Sequence, residues 1–368
     1  SQTAFSAEPS ALYTQHCLSC HGANRLGAMG PALLPESLER LKRKDALATI
    51  RDGRPVTQMP AFGQTLTGAE IEALAEWIHT PVSPAPTWSE ADIRNSRIEH
   101  FPAGSLPDAR QGAVAKADPM NIFIVVEAGD HHVSVLDGDR MERIHRFPSR
   151  YALHGGPKFS PDGRYVYFAS RDGWISKFDI WNLQVVTEIR AGVNTRNAAV
   201  SADGRYVAVA NYLPGTLAIF DADPHLLRVI DGANLKGDQK SRISAVYDAA
   251  PRRSFVAALK DIPELWEISY DPAAQDSATG FVDDYKYKEG AIIPGFLNPR
   301  RSPLEHVLDD FFFTQDYSEV LGTSREGRGQ VVNLDVRRKI ADLDLTGMPH
   351  LGSGISWQYQ GRPVAAST

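Results

Sequence analysis

"FSPDGRYVYFASRDGWISKFDIWNLQVV", residues 159–186, and "VSADGRYVAVANYLPGTLAIFDADPHLL", residues 200–227, are two copies of one pattern, with Asp162 and Asp203 in matching positions. Each reads as an Asp-Gly turn, a central strand, a second turn and an outer strand ending in "FDI" or "IFD". Asp-Gly suits a tight reversal because glycine takes positive φ without penalty. Three further copies surround Asp118 ("KADPMNIFIVVEAGDHHVSVLDGDRMERI"), Asp248 ("VYDAAPRRSFVAALKDIPELWEISYD") and Asp316 ("FTQDYSEVLGTSREGRGQVVNLDVRRKIADL"). The five aspartates are spaced by 44, 41, 45 and 68 residues, the last interval holding an insertion that includes "YKYKEGAIIPGF". Short strands recurring every ~40–45 residues are the signature of a β-propeller blade. A sixth copy begins at "SGISWQYQGRPVAAST". A ring must close its last blade on its first, so the expectation is either a small propeller or a gene product longer than these residues.

The first part of the chain reads differently. Cys17 and Cys20 in "HCLSCHG", residues 16–22, are the only cysteines, and His21 follows the second directly. A Cys-x-x-Cys pair can be a redox disulfide, half of a zinc site or a c-type haem anchor. Zinc needs four N or S ligands and usually a second Cys or His pair, which is missing here. A thioredoxin-like motif sits between a strand and a helix, whereas "PSALYTQHCLSCHG" is helix-compatible throughout. The haem reading uses every residue: two thiols form thioethers with the porphyrin vinyl groups, and the His21 imidazole becomes the proximal iron ligand.

The following residues fit a small cytochrome. Thr67 and Glu70 form a capping box, and Ile71, Leu74, Ala75 and Ile78 then fall on one helical face, predicting a closing helix. Met59, in a Pro-flanked loop, is the expected sixth iron ligand, which would raise the reduction potential, and Met29 is its nearest rival. The Pro-rich and then polar stretch "HTPVSPAPTWSEADIRNSR" reads as a linker. The expected division is a cytochrome c domain over 1–80, a linker over 81–117 and a propeller over 118–368.

Composition sets the outer limits. The chain has 368 residues, 42% of them hydrophobic, and a formal net charge of −6. No apolar run reaches the length of a membrane span, and "SQTAFSAEPS" lacks the basic region and apolar core of a signal peptide, as expected of a processed mature form. A mildly acidic chain without basic clusters interleaved with aromatics gives no footprint for nucleic acid. Covalent c-haem is attached outside the bacterial cytoplasm, so the expected compartment is the periplasm.

With a cytochrome c domain ahead of propeller repeats, the chain resembles the family of cytochrome cd1 nitrite reductases and their relatives in haem d1 biosynthesis, over nearly its whole length. The resemblance implies an N-terminal all-α cytochrome c domain followed by an all-β propeller that binds haem d1, with eight blades in the complete protein, not all covered by this sequence. Its most specific block is "YALHGGPKFSPDGRYVYFASRDGWISKFDIW", where the family places a histidine that ligates the d1 iron and an arginine that meets a d1 carboxylate; these positions are His154 and Arg171. "LTGMPHLGSGISW" is similar to the segment carrying a distal-pocket histidine, here His350. The blocks "NTRNAAVS", "NYLPGTLAIFD" and "KSRISAVYD" imply Arg196, Tyr212 and Arg242 as further pocket residues. The recurring Arg164 and Arg205 of "DGRY" are read as turn residues and set aside.

The block around His154 is closer to the biosynthetic members than to the reductases. The c-haem-bearing biosynthetic member dehydrogenates the propionate of dihydro-haem d1 to the acrylate of haem d1. That implies covalent haem c as cofactor, dihydro-haem d1 as substrate, an external periplasmic electron acceptor, and contact with nitrite reductase or other haem d1 assembly proteins. Cys17 and Cys20 would anchor the haem; His154, His350 and Tyr212 would serve the chemistry; Arg171, Arg196 and Arg242 would hold carboxylates, which arginine grips bidentately. Reduction of nitrite to nitric oxide, or non-enzymatic carriage of haem d1, are the alternative expectations.

Overall fold

The structure is a computed structural model that describes residues 8–38, 41–55, 57–279, 291–324, 326–344 and 355–366. The chain divides into two compact units, Ser1–Pro157 with Phe168–Thr195, and Lys158–Tyr167 with Arg196–Thr368. Among the described residues no helix is long and apolar enough to cross a membrane.

The first unit begins with helices Pro9–His16, Leu18–His21, Arg43–Asp52 and Gly68–Ile78. The expected capping box is present: the Glu70 amide donates to Thr67 Oγ1 (3.3 Å), and the Thr67 amide donates to Glu70 Oε2 (2.8 Å). These bonds satisfy two of the amides that a helix start leaves unpaired. Ile71, Leu74, Ala75 and Ile78 are all buried, as the periodicity requires. Ile71 and Leu74 pack on Leu12, Tyr13 and Leu66, so the first and last helices share one core.

The stretch after this domain is ordered rather than featureless. Ser89 and Asp92 form a second capping box that starts helix Glu90–Asn95. The two residues Ile98–Glu99 then pair with the edge of strand Gln184–Arg190, in the register Ile98↔Glu188. The same unit holds a three-stranded antiparallel sheet, Ile122–Glu127, His132–Asp137 and Glu142–Pro148, and the paired strands Trp174–Asp179 and Gln184–Arg190.

The second unit is built from successive antiparallel sheets, each made by one repeat. One joins Asn194–Val200, Tyr206–Leu213, Thr216–Asp221 and Leu226–Asp231; the next joins Ile243–Ala249, Ser254–Leu259, Glu264–Ser269 and Pro299–Pro303. The third joins Asp310–Phe313, Glu319–Thr323, Gly329–Asn333 and Arg338–Leu343. The insertion before Pro299 contributes its own hairpin, Ser277–Thr279 with Ala291–Ile293, and the final repeat contributes Ile355–Tyr359 with Arg362–Ala366. Central strands such as Ser254–Leu259 are buried at every position instead of alternating. That pattern belongs to a sheet covered on both faces: Phe255 and Trp266 pack toward Leu217 and Ile219, whereas Val256 and Leu265 pack toward Phe311 and Val332. Each fully buried side chain of this size contributes about 1.5–3 kcal/mol.

Acidic side chains close the turns. Ser201 Oγ donates to Asp203 Oδ1 (2.7 Å) and accepts from the Tyr206 amide (3.0 Å), while Gly204 holds φ +71°. The fifth repeat reproduces the device with Thr314 and Asp316, but Tyr317, at φ +57°, stands where glycine is expected. A second device follows the strands that end at Asp137, Asp179 and Asn333. Asp137, Asp179 and Asn333 accept amide hydrogens from residues two and three positions on, and the residue after those, Met141, Leu183 or Arg337, takes positive φ in each case.

Met141 is 82% exposed at φ +55°, so its side chain adds backbone strain with little packing in return. Met141→Gly should stabilise the fold by about 0.5–1 kcal/mol, the left-handed penalty exceeding the entropy cost of glycine. A denaturant titration that shows equal or lower stability for the variant would contradict this account of the turn.

Candidate functional site

Cys17 ends the first helix, and its carbonyl accepts from the Cys20 and His21 amides (3.1 and 2.8 Å), so one helical turn presents both thiols. Neither cysteine is in a disulfide. Gly22, at φ +74°, then breaks the helix, and a Cβ there would meet the Gly27 carbonyl oxygen at 2.6 Å. The chain folds back under the histidine: the Gly27 amide donates to the His21 carbonyl (2.8 Å) and the Gly30 amide to the Cys20 carbonyl (2.7 Å).

His21 is 8% exposed, and burial pushes its pKa below the ordinary imidazole range. Nδ1 lies 2.8 Å from the Pro31 carbonyl oxygen, an acceptor only, so Nδ1 carries the hydrogen and Nε2 keeps its lone pair for a metal. Gly30 lies flat against the ring; a Cβ there would come within 2.9 Å of it. Two free thiols on one turn and a histidine with its far nitrogen free fit covalent haem c. Met59 is half-buried in a loop held by the Arg54 amide on its carbonyl (3.1 Å) and by Thr57 Oγ1, which accepts from its amide (3.2 Å). Met29 is 60% exposed.

Sequence reading passed over Arg25. Its guanidinium donates to the Trp77 and Thr80 carbonyls (2.6 and 2.7 Å) and lies 4.5 Å from the Trp77 ring centroid. It therefore caps the closing helix from within the haem loop, a role that needs the loop and the helix end to meet and has no local signal.

In the same unit, His154 and Arg171 lie on two paired segments. The bridge Leu153↔Ser170 is flanked by His154 N–H to the Ala169 carbonyl (2.8 Å) and Arg171 N–H to the Ala152 carbonyl (3.0 Å). Side chains alternate along such a pair, so His154 and Arg171 fall diagonally on one face. Next to Arg171, Asp172 is buried: its Oδ1 accepts from Ser170 Oγ, and its Oδ2 has no hydrogen-bond partner. Burial raises its pKa to about 6, against the pull of Ser170, Arg190 and Arg150.

In the second unit, Arg242 donates from Nε and Nη2 to both oxygens of Asp261 (2.9 and 2.7 Å) and lies 5.5 Å from the Tyr212 ring centroid. Lys260, buried and ion-paired with Asp309, approaches the same ring at 5.4 Å. Neither Lys260 nor Asp309 has a sequence signal, because their pairing joins residues 49 positions apart. Arg196 is half-buried on strand Asn194–Val200. Its charge faces Tyr247, whose hydroxyl donates to Asp310 (2.8 Å) and whose pKa burial raises far above the ordinary value. A cavity of about 300 Å³ nearby is lined by Lys158, Tyr247, Asp248 and Phe311–Phe313. Arg164 and Arg205 sit at their turns against Tyr165 and Tyr206, as expected of structural residues. His350 lies outside the described residues.

A covalent-haem motif on a small helical domain, followed by blade-forming sheets, defines a cytochrome c joined to a β-propeller. The profile of the Cytochrome D1 heme domain family matches residues 117–368, and that of the cbb3-type cytochrome C oxidase subunit III family matches residues 5–78. The chain belongs to the cytochrome D1 heme domain family. It is 52% identical over 359 residues to dihydro-heme d1 dehydrogenase of Pseudomonas aeruginosa, which covers 97% of this chain and 68% of that relative. The solved structure of dihydro-heme d1 dehydrogenase NirN in complex with DHE superposes with a TM-score of 0.87 at 51% identity, over 98% of this chain and 72% of that one. Nitrite reductase of Stutzerimonas stutzeri is 25% identical over 95% of this chain and 62% of its own length.

Met59→Ala should leave the haem covalently attached and lower its reduction potential, because a thioether ligand favours the reduced iron. Potentiometry and the visible spectrum check this; if both stay unchanged, Met59 is not the ligand and Met29→Ala becomes the next variant.

Asp172 makes stability depend on pH. Its pKa is higher in the folded chain than the ordinary 3.8, so the folded state holds the proton more tightly and stability falls as pH rises from about 4 to about 6. Above that window the cost is roughly 3 kcal/mol, at about 1.4 kcal/mol per pKa unit. Asp172→Asn should flatten this part of the stability profile, measured by denaturation at pH 4, 5, 6 and 7; an unaltered slope would assign the pH dependence to other groups.

Proposed function

We propose that this chain is an oxidoreductase of haem d1 biosynthesis that dehydrogenates the propionate side chain of dihydro-haem d1 to the acrylate of haem d1. The observation that carries this reading is 52% identity across 97% of the chain to a relative named for that activity, twice the identity to the nitrite reductase. Desaturation removes two electrons and two protons from adjacent carbons, so it needs an electron sink and a base. Haem c, held by Cys17, Cys20 and His21, supplies a one-electron acceptor when bound.

The chain's own residues then bind, orient and deprotonate the substrate. His154 holds the substrate iron, and Arg171, Arg196 and Arg242 take the carboxylates of the macrocycle, with Tyr212 assisting by hydrogen bonding. His350 is the base, or a second contact to the substrate iron. The shared face of His154 and Arg171 supports this reading, because one segment pair then presents an iron ligand beside a cation for a peripheral carboxylate. Arg242 already grips Asp261 with its fork, so a substrate carboxylate there would add to or replace that ion pair. The site of action is the periplasm, where c-haem is attached. An external acceptor removes the electrons, and nitrite reductase or other haem d1 assembly proteins are the partners for the product.

The direct test is to mix the protein with dihydro-haem d1 and an electron acceptor, follow the loss of two hydrogens by mass spectrometry, and assay nitric oxide from nitrite separately. Nitric oxide formation without loss of hydrogens would replace this function with nitrite reduction. Binding without either reaction would leave a carrier.

Three variants test the residue roles. Arg171→Ala should weaken substrate binding by on the order of 1.5–3 kcal/mol, the range for a charge-assisted bond, while leaving the fold intact; a titration at wild-type affinity would remove Arg171 from the site. His154→Ala should alter the absorption spectrum of bound dihydro-haem d1. His350→Ala should bind it well and convert it roughly 10²–10⁴-fold more slowly, as loss of a general base requires. Spectrum and single-turnover rate measured on the same two variants decide the assignment, and a reversed pattern would exchange the roles.

A further inference from the structure

Strand Gln184–Arg190 ends on a buried arginine that belongs to no turn and to no family block. Arg190 is 7% exposed. Its amide donates to Ser96 Oγ (2.9 Å), and its carbonyl accepts from Trp88 Nε1 (3.0 Å), so the segment leaving the cytochrome domain is fastened to its backbone. Its guanidinium lies 4.9 Å from the Trp88 ring centroid and donates in two directions, from Nε to the Asp172 carbonyl (2.8 Å) and from Nη2 to the Leu26 carbonyl (2.5 Å).

Both acceptors matter. The Leu26 carbonyl shares a peptide with the Gly27 amide, and that amide donates to the carbonyl of His21. Arg190 is therefore one peptide away from the histidine that would ligate the haem iron. The Asp172 carbonyl shares a peptide with the Gly173 amide, which donates to Ser170 and closes the turn immediately after Arg171. That turn packs closely on the neighbouring backbone, since a Cβ on Gly173 would overlap the Gly192 carbonyl. A planar guanidinium reaches two carbonyls on opposite sides with its shape preset, whereas a lysine ammonium is a single flexible point. The charge is also buried at some cost: burial lowers the Arg190 pKa, with the Asp172 carboxylate opposing.

We propose that Arg190 is a positioning residue for electron transfer, holding the haem loop beside His21 to the turn beside Arg171 and so setting the coupling between bound substrate and electron acceptor. This rests on the reaction proposed above. The test uses the full-length haem-loaded protein with Arg190→Met and Arg190→Lys. In Arg190→Met the c-haem should stay attached and the affinity for dihydro-haem d1 should be unchanged. The c-haem reduction potential should fall, because a buried positive charge bonded to the loop that follows His21 is gone. Reduction of the c-haem by dihydro-haem d1 in a single turnover should slow by about 10²-fold, the scale expected for a small misplacement. Proteolysis within residues 81–97 should speed up.

Arg190→Lys separates charge from geometry. It should keep the wild-type potential yet transfer slowly and be cut quickly, since one ammonium cannot hold both carbonyls. Wild-type transfer rate and protease resistance in both variants would overturn the proposal. If Arg190→Met does not accumulate, slow transfer at unchanged potential in Arg190→Lys decides alone. Potential and proteolysis need no substrate, so they decide whether Arg190 fastens the haem loop even if the wild-type protein fails to oxidise dihydro-haem d1, a failure that would count against the reaction instead.

Discussion

The central sheets among the described residues depend on one constraint: strands buried on both faces must reverse direction without leaving an amide unpaired. Acidic and hydroxyl side chains meet it locally. Ser201 with Asp203, and Thr314 with Asp316, bond to the backbone of their own turns, while Asp137, Asp179 and Asn333 take up the amides that follow their strands. A buried unpaired amide costs about as much as a lost hydrogen bond, so these few side chains allow the strands between them to be largely buried. The apolar strands can then pack face to face, as Phe255 and Val256 do on opposite sides of one sheet.

The haem domain obeys the same economy at smaller scale. Its helices are short, and the loop after His21 carries much of the order. Pro31 orients the imidazole, Gly22 and Gly30 let the backbone approach closely, and Arg25 caps the closing helix. These are contacts to backbone atoms, which is why a short and irregular loop can still hold a ring in one orientation. A histidine whose Nδ1 hydrogen is committed to a carbonyl has its other nitrogen directed to metal and its basicity raised.

Buried charge concentrates where the haem domain meets the strand it leans on. Glu188 accepts from Arg150, Ser176 and His100, and Arg190 bridges two carbonyls beside the unpaired oxygen of Asp172. Burying charge with incomplete pairing costs stability, so such a cluster is weak evidence for a structural role alone. Its position between His21 and Arg171 gives it a functional one.

Much of this was legible in the residues alone, because the informative signals were local. The spacing of the repeat aspartates announced the blades, Cys17-x-x-Cys20-His21 announced the haem, and Thr67 with Glu70 announced the closing helix; each is a pattern carried by the sequence alone. Positive φ at Tyr317 and Met141 was not legible, since glycine only favours that conformation and the flanking strands impose it. Arg25, Arg190 and the Lys260–Asp309 pair were equally silent, their partners lying 18 to 164 positions away. Local bonding chemistry is therefore what the sequence by itself determined, along with the identity of the haem-binding and blade-forming segments. Which buried charges find partners was decided only by the tertiary structure, because the long-range approach of two backbones leaves no periodic trace in either one.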